Sequence, residues 1–251
     1  MGESYSKIIV VVPTYNERDN LPVLVHAVLQ HDDTRVLVVD DASPDGTGEI
    51  ADRLAAEMAG RVEVLHRSGP RGLGRAYRDG LRRALEGGAD LVVQMDADLS
   101  HDPRYLPAMI AGCAGGADLV IGSRYLHGVS VVNWPLHRLA LSVFANRYAR
   151  TVTRVAVRDC TSGFRCWRRE ALARVPLQGI RSDGYAFLVE MLYEAARVGC
   201  RIAEVPIIFV ERRQGVSKLS AHALLEAAAT PWRIVLRDAL RSTAARTRRR
   251  P

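Results

Sequence analysis

The 251-residue sequence predicts an α/β protein, a mostly parallel sheet with helices on both faces. Short apolar runs rich in β-branched residues recur along the first half, and helical patterns closed by glycine lie between them. Runs of that length with no polar alternation are what strands covered on both faces look like. Regular alternation of strand and helix then implies parallel pairing.

Taken in order, strands are expected at Ile8–Val12, Arg35–Asp40, Arg61–His66, Asp90–Met95 and Asp118–Gly122. The pattern TGEIADRLAAEMAG follows the Asp45–Gly46 turn and ends at Gly60; LGRAYRDGLRRALEGG ends at Gly87 and Gly88. Glycine closes helices because it enters the left-handed region without a Cβ clash. The sheet-rich part ends near Trp134. Beyond it the pattern gives a long helix from Pro135 to about Arg154, the segment RDCTSGFRCWRRE, a helix near Tyr185 to Val198, a strand AEVPIIFV and the polar loop ERRQGVSK. With no repeat and no low-complexity linker, the chain reads as one domain, 1–251, with parts at about 8–134, 135–219 and 220–251.

Composition narrows the class. Hydrophobic residues make up 48% and charged residues 25%, ordinary for a globular protein and unlike a disordered one. Lysine and arginine outnumber the acids 35 to 28, and the excess gathers in RTRRR at Arg246–Arg250, which points to an anionic partner. The basic runs lack interleaved aromatic residues for stacking bases, which argues against a nucleic-acid partner. Cys113, Cys160, Cys166 and Cys200 show no CxxC spacing and read as reduced structural thiols, hence a cytoplasmic protein. The start MGESYSK has no signal-peptide regions, and no apolar run approaches the ~20 residues that span a bilayer. Membrane contact is therefore expected to be peripheral.

Open sheets of this kind bind ligands at the carboxyl ends of their strands. The loops there are PTYNE, DDASPDG, RSGPRGLG, DADLSHDP and GSRY. In LVVQMDADLSHDP an apolar strand runs into Asp96, Asp98 and Asp102. On a straight strand Asp96 and Asp98 share a face; they meet at one point only through the turn that Leu99, Ser100 and Pro103 suggest. Two ionised carboxylates held close repel, and a divalent cation with oxygen ligands relieves the repulsion. Asp102 before Pro103 reads instead as a helix cap. The glycines of SGPRGLGRAY could cradle a phosphate, as in dinucleotide enzymes, but the loop lacks full GxGxxG spacing and no acid follows at the required distance. The histidines show no metal-binding spacing.

In their order, VVPTYNERDNLP, VLVVDDASPDGTG, MDADLSHDP, IGSRY, DCTSGFR and FVERRQGVSKL, spanning Ile8 to Leu219, resemble the polyprenol (dolichol) phosphate mannosyltransferases of glycosyltransferase family 2. The resemblance implies a GT-A fold, a Rossmann-like sheet that binds a nucleotide sugar and Mg2+ or Mn2+. It assigns Pro13, Tyr15, Glu17, Val39 and Asp41 to base and ribose, and Asp96, Ala97 and Asp98 to pyrophosphate and metal. Ser100 stands where many members carry a metal-ligating glutamine, and its hydroxyl is the poorer ligand. Arg124, Arg212 and Lys218 fall on phosphate-binding positions and, with Asp98, form the implied catalytic set; Arg124 and Arg138 fall beside the acceptor phosphate. The implied activity is inverting, metal-dependent transfer of mannose from GDP-mannose to a polyprenyl phosphate, with a UDP-sugar donor as the alternative.

The residues agree with that implication in several respects. A carboxylate accepts well from the N1 and exocyclic amine of guanine, a task open to Asp41; capping the next helix is the structural alternative for Asp41 or Ser43. Arginine suits bidentate phosphate contact and lysine a point-charge contact. Asp159 and Glu190 are candidate partners of the arginines. In PWRIVLRDALR, Trp232, Val235, Leu236, Ala239 and Leu240 share a helix face, with Ile234 breaking the pattern. The earlier helix aligns Leu136, Leu139 and Val143 with Arg147, Arg150 and Arg154. These helices and the basic tail suit the cytoplasmic surface of a membrane and leave room for a membrane-anchoring partner protein.

Overall fold

The computed structural model describes residues 5–210 and 228–240. The central sheet runs β3 (Val62–His66), β2 (Thr34–Asp40), β1 (Ile8–Thr14), β4 (Leu91–Gln94), β7 (Arg165–Arg168), β5 (Leu119–Ser123), β8 (Ile202–Pro206). β1 pairs parallel with β2 and β4, β2 with β3, and β5 with β8; β7 is antiparallel to both its neighbours. A second, two-stranded sheet joins β6 (Val131–Val132) to β9 (Phe209–Val210) in parallel. The mostly parallel α/β architecture expected from the sequence is what the chain adopts.

All seven residues of β1 are buried, six of them apolar and the last, Thr14, bonded to Asp40. Alternate side chains still part to opposite faces. Ile9 and Val11 join Val39, Val92, Ile121 and Trp167 under α3 (Leu73–Glu86) and α7 (Gly184–Arg197), with Tyr77, Leu81, Phe187 and Met191. Ile8, Val10 and Val12 join Val36, Val93 and Cys166 under α1 (Leu21–Val28), α2 (Thr47–Glu57) and α4 (Leu106–Ala114), with Leu24, Leu54 and Met109. Each such side chain contributes about 1.5–3 kcal/mol on burial. Cys113, Cys160 and Cys166 are free and buried, and Cys200 is free and half-buried. Burial pushes the Cys160 thiol up to about 12, so it stays protonated and unreactive.

The sheet does not stop at Trp134, because β7 and β8 come from beyond it. β7 lies within RDCTSGFRCWRRE, a segment with no apolar run to mark a strand. The reason is its alternation: Phe164 and Cys166 face one core, while Arg165 and Trp167 face the other, and Arg165 is fully buried. A buried arginine imitates a surface position. Likewise AEVPIIFV is two strands, split at Ile207–Ile208.

The long helix α5 spans Leu136–Thr153, followed by a short α6 (Arg169–Arg174) after β7. Residues 228–240 form a further helix, α8. Ile234, which broke the expected apolar face, is 2% exposed and seats α8 on the body, while Arg237 bonds Glu190 and Glu194 of α7. The outward stripe is therefore narrower than expected: Trp232, Leu236 and Leu240 are 54%, 61% and 72% exposed. Tyr148 of α5 donates to Ala228 O at 2.6 Å and ties the two helices together. Among the described residues no helix is long and apolar enough to cross a membrane.

Candidate active site

The loops at the carboxyl edge of the sheet carry backbone strain. Asn16, Ala42 and Leu99, after β1, β2 and β4, have φ of 61°, 55° and 62°, in the left-handed region that residues with a Cβ seldom occupy. The first two loops are sewn together: Asn16 N donates to Ser43 Oγ, Glu17 N to Thr47 Oγ1 and Arg18 N to Asp45 Oδ2. Tyr15 and Glu17 are thus fixed at this edge. Tyr15 Oη accepts from Arg71 at 2.6 Å, and the Arg71 guanidinium lies 4.8 Å from its ring centroid. Pro13 and Val39 pair in register across β1 and β2. Both are buried, and the Val39 side chain belongs to the core.

Beyond β4 the chain turns at Leu99, where the sequence suggested a turn. Asp98 Oδ1 accepts from Ser100 N at 3.1 Å and from Ser100 Oγ at 2.5 Å. Ser100 thus orients Asp98 with the hydroxyl proposed as a third ligand. Asp96 is held from three sides. Tyr77, buried beneath the sheet, donates to its Oδ1 at 2.7 Å; its amide donates to His101 Nδ1 at 3.2 Å; and a Cβ on Gly163 would stand 3.0 Å from its Oδ2. Burial and the adjacent Asp96 charge push the Tyr77 phenol well above its usual range, so it remains a donor at any physiological pH. Burial lowers the His101 pKa, which keeps the ring neutral and able to accept at Nδ1. Ala97 is buried between the acids, and Asp102 accepts from Arg104 N at 2.9 Å as the expected cap. Among the described residues no group of three or more His, Cys, Asp or Glu could hold a metal ion. Two carboxylates on a strained turn still fit a hard cation that takes its other ligands from water and a diphosphate.

At the end of β5, Arg124 is 5% exposed and locked in place. Its Nε and Nη2 donate to Asp159 Oδ2 and Oδ1 at 2.7 and 2.8 Å, and Nη2 also reaches Thr161 Oγ1 at 2.7 Å. Burial alone would lower the Arg124 pKa; the charge and hydrogen bonds of Asp159 outweigh it and raise the pKa. Aromatic rings surround the guanidinium: Tyr125 at 5.3 Å, Phe209 at 5.4 Å and Trp134 at 5.8 Å to the ring centroids. Phe209 also meets the His101 ring at 5.5 Å, which links the arginine to the loop of acids. Arg138, in the first turn of α5, lies 4.5 Å from the centroid of Trp134. Asp159 thus serves a site arginine, whereas Glu190 serves Arg237 on α8.

Asp41 does not cap α2, whose N-cap is Gly46. Its Oδ1 pairs with Arg67 and its Oδ2 accepts from Gly72 N at 2.8 Å, so it anchors the glycine loop after β3. The far end of that loop is held by Asp183, which accepts from Gly74 N at 2.5 Å. Gly72, at φ 154°, is required there because a Cβ would overlap the Asp183 carboxylate. Each Asp41 oxygen keeps a second lone pair for a ligand. Arg212 and Lys218 lie outside the described residues. The structure adds Tyr77, Arg67 and Trp134, to which no motif assigned a role; a tyrosine or tryptophan in an apolar pattern reads as core.

The open, mostly parallel sheet with helices on both faces, with acids at the end of one strand and a held arginine at the end of another, is that of a glycosyltransferase of the GT-A type. Residues 9–175 match the glycosyl transferase family 2 profile, and the chain belongs to that family. It is 46% identical over 225 residues to the polyprenol monophosphomannose synthase of Mycolicibacterium smegmatis, covering 88% of this chain and 84% of that one. It is also 46% identical over 237 residues to the undecaprenyl-phosphate mannosyltransferase of Micrococcus luteus, covering 92% and 96%. The resemblance seen in the motifs is thereby borne out. Among solved structures, glucosyl-3-phosphoglycerate synthase of Mycobacterium tuberculosis with phosphoglyceric acid superposes with a TM-score of 0.63 at 21% identity, covering 92% of this chain and 77% of that one. The same enzyme with Mn2+, UDP and glucosyl-3-phosphoglycerate gives 0.62 at 22% identity over the same shares. At that identity the likeness shows the fold.

Proposed function

We propose that this glycosyltransferase moves mannose from GDP-mannose to a polyprenyl phosphate, with inversion at the anomeric carbon and with Mg2+ or Mn2+ at Asp96 and Asp98. The observation that carries the reading is the 46% identity to two enzymes named for mannosyl transfer to polyprenyl lipids, over nearly the whole chain. The cation is supported by the carboxylate pair on its strained turn, and by Mn2+ in a solved protein of the same fold. When bound, it would neutralise the charge that develops on the leaving diphosphate.

The residues of the chain supply the rest. A lipid phosphate is anionic at neutral pH, so its oxygen attacks without help from a general base. The site needs cations in fixed positions, and Arg124, held by Asp159 and Thr161, offers Nη1, which makes no hydrogen bond among the described residues. Arg138 is the companion for the acceptor phosphate, and Arg212 and Lys218 are proposed for the donor phosphates. Tyr15, Glu17 and Asp41 surround the place for base and ribose, with Pro13 and Val39 forming its floor.

The acceptor is insoluble, so the site must reach a bilayer surface. Trp232, Leu236 and Leu240 of α8 and Leu136, Val143 and Phe144 of α5 are exposed apolar side chains on helices joined through Tyr148. Farther along α5 a cleft of about 310 Å³ is lined by Arg147, Arg150, Thr151, Arg154 and Val155, suited to anionic headgroups. These features support a peripheral position on a membrane, and the face we propose is the cytoplasmic one.

A UDP-sugar donor is the second reading. Calorimetry with GDP and with UDP, manganese present, separates the two: tight GDP and weak UDP binding supports GDP-mannose, and the reverse removes it.

A further inference from the structure

We infer that Trp134 is a positioning residue for the acceptor phosphate, an aromatic platform that sets the Arg138 guanidinium beside Arg124. The inference rests on the proposed reading of those arginines as phosphate ligands. Both guanidinium carbons lie within cation–π range of the indole, at 4.5 Å for Arg138 and 5.8 Å for Arg124. Arg124 is also held by Asp159, and Arg138 meets the indole from the first turn of α5.

Much of the local fold serves to place that ring. β6 pairs with β9, Phe209 N donates to Ser130 O at 2.9 Å, and Ser130 N donates to Arg124 O at 2.9 Å. Asn133 then turns through φ 65°, and Pro135 caps α5, so Trp134 sits between a strand end and a helix start that are both fixed. Phe209 meets it edge-on at 5.5 Å and supports it from the β9 side.

The indole N–H shows why the residue is there. Trp134 Nε1 is buried and has no hydrogen-bond partner among the described residues. A phenylalanine would fill most of the same apolar space without stranding a donor, so packing alone does not favour tryptophan here. What tryptophan supplies beyond phenylalanine is the stronger attraction of its face for a cation.

The test compares Trp134→Phe and Trp134→Leu with the wild-type full chain in the transfer assay, varying polyprenyl phosphate and GDP-mannose in turn. Removing a cation–π contact corresponds to a loss of roughly three- to thirtyfold in phosphate affinity. Trp134→Leu should raise the acceptor KM by about tenfold and leave the GDP-mannose KM within about twofold. Trp134→Phe should give an acceptor KM between those of wild type and Trp134→Leu and melt no lower than wild type, since it removes the stranded donor. An unchanged acceptor KM in Trp134→Leu overturns the inference, as does a parallel rise of both KM values with a lower melting temperature in both variants. A second arm measures binding of a short-chain prenyl phosphate by calorimetry with no donor present. If the wild type binds it more tightly than Trp134→Leu but makes no mannolipid, the proposed reaction fails and the role of Trp134 stands. Equal affinities, or no binding to either, overturn that role.

Discussion

Tyr77 donates its phenolic proton to Asp96 Oδ1 at 2.7 Å from beneath the sheet, so a core residue of α3 aims a carboxylate at the reaction edge. Hydrogen bonds to charged groups are worth about 1.5–3 kcal/mol. Tyr77→Phe keeps the ring stacked on Phe187 but frees Asp96 to rotate. We predict roughly tenfold weaker cation-dependent nucleotide binding with little change in melting temperature, read by calorimetry with and without manganese.

Asp98 sits on the turn created by Leu99 and is oriented by Ser100. Asp98→Ala should abolish turnover while near-UV circular dichroism stays as in the wild type. Ser100→Ala should lower turnover by only about tenfold, since one orienting hydrogen bond is lost and the carboxylate remains. Full activity in Asp98→Ala removes this residue from the site.

The Arg124–Asp159 pair gives a pH prediction. Burial alone would raise the Asp159 carboxyl, but the Arg124 charge and hydrogen bonds outweigh it and hold its pKa below the ordinary value. A depressed carboxyl contributes stability that is present above its unfolded pKa of about 3.9 and is lost as pH falls through the lower folded value. Asp159→Asn should therefore be less stable at pH 7, by about 3–5 kcal/mol if Arg124 is left uncompensated, and should lose less on acidification below pH ~4 than wild type does. Denaturant titrations at neutral and acid pH test both halves.

The exposed stripe of α8 predicts a separation of function. Replacing Trp232, Leu236 and Leu240 by serine removes apolar surface worth about 1.5–3 kcal/mol per side chain when buried in a bilayer. Sedimentation with anionic vesicles should fall steeply, whereas activity on a water-soluble short-chain acceptor should persist. Equal vesicle binding by the variant places the membrane contact elsewhere.

Legibility in the sequence followed burial pattern. Strands buried on both faces leave unbroken apolar runs, so β1 to β5 could be read within a residue or two, and the loops after them held the motif residues. β7 could not be read because Arg165 occupies a core position: it donates to Ser162 O and Cys160 O, and burial pulls it down to about 10, still charged at neutral pH. The acids Asp96 and Asp98 were legible because they interrupt an apolar strand pattern, and they gained meaning from the motifs at the other strand ends. Tyr77 and Trp134 were not, because what distinguishes them is the partner each meets across the fold. Ile234 failed in the opposite sense, looking like a flaw in an amphipathic face while serving as the residue that seats the helix.

The most direct measurement is transfer of radiolabel from GDP-mannose and, in parallel, from UDP-sugars to polyprenyl phosphate, with and without Mg2+ or Mn2+, followed by organic extraction. We expect extractable product from GDP-mannose alone among these donors, formed only with the divalent cation and absent in Asp98→Ala. Product from a UDP-sugar in its place, or no extractable product from any donor, contradicts the proposed reaction.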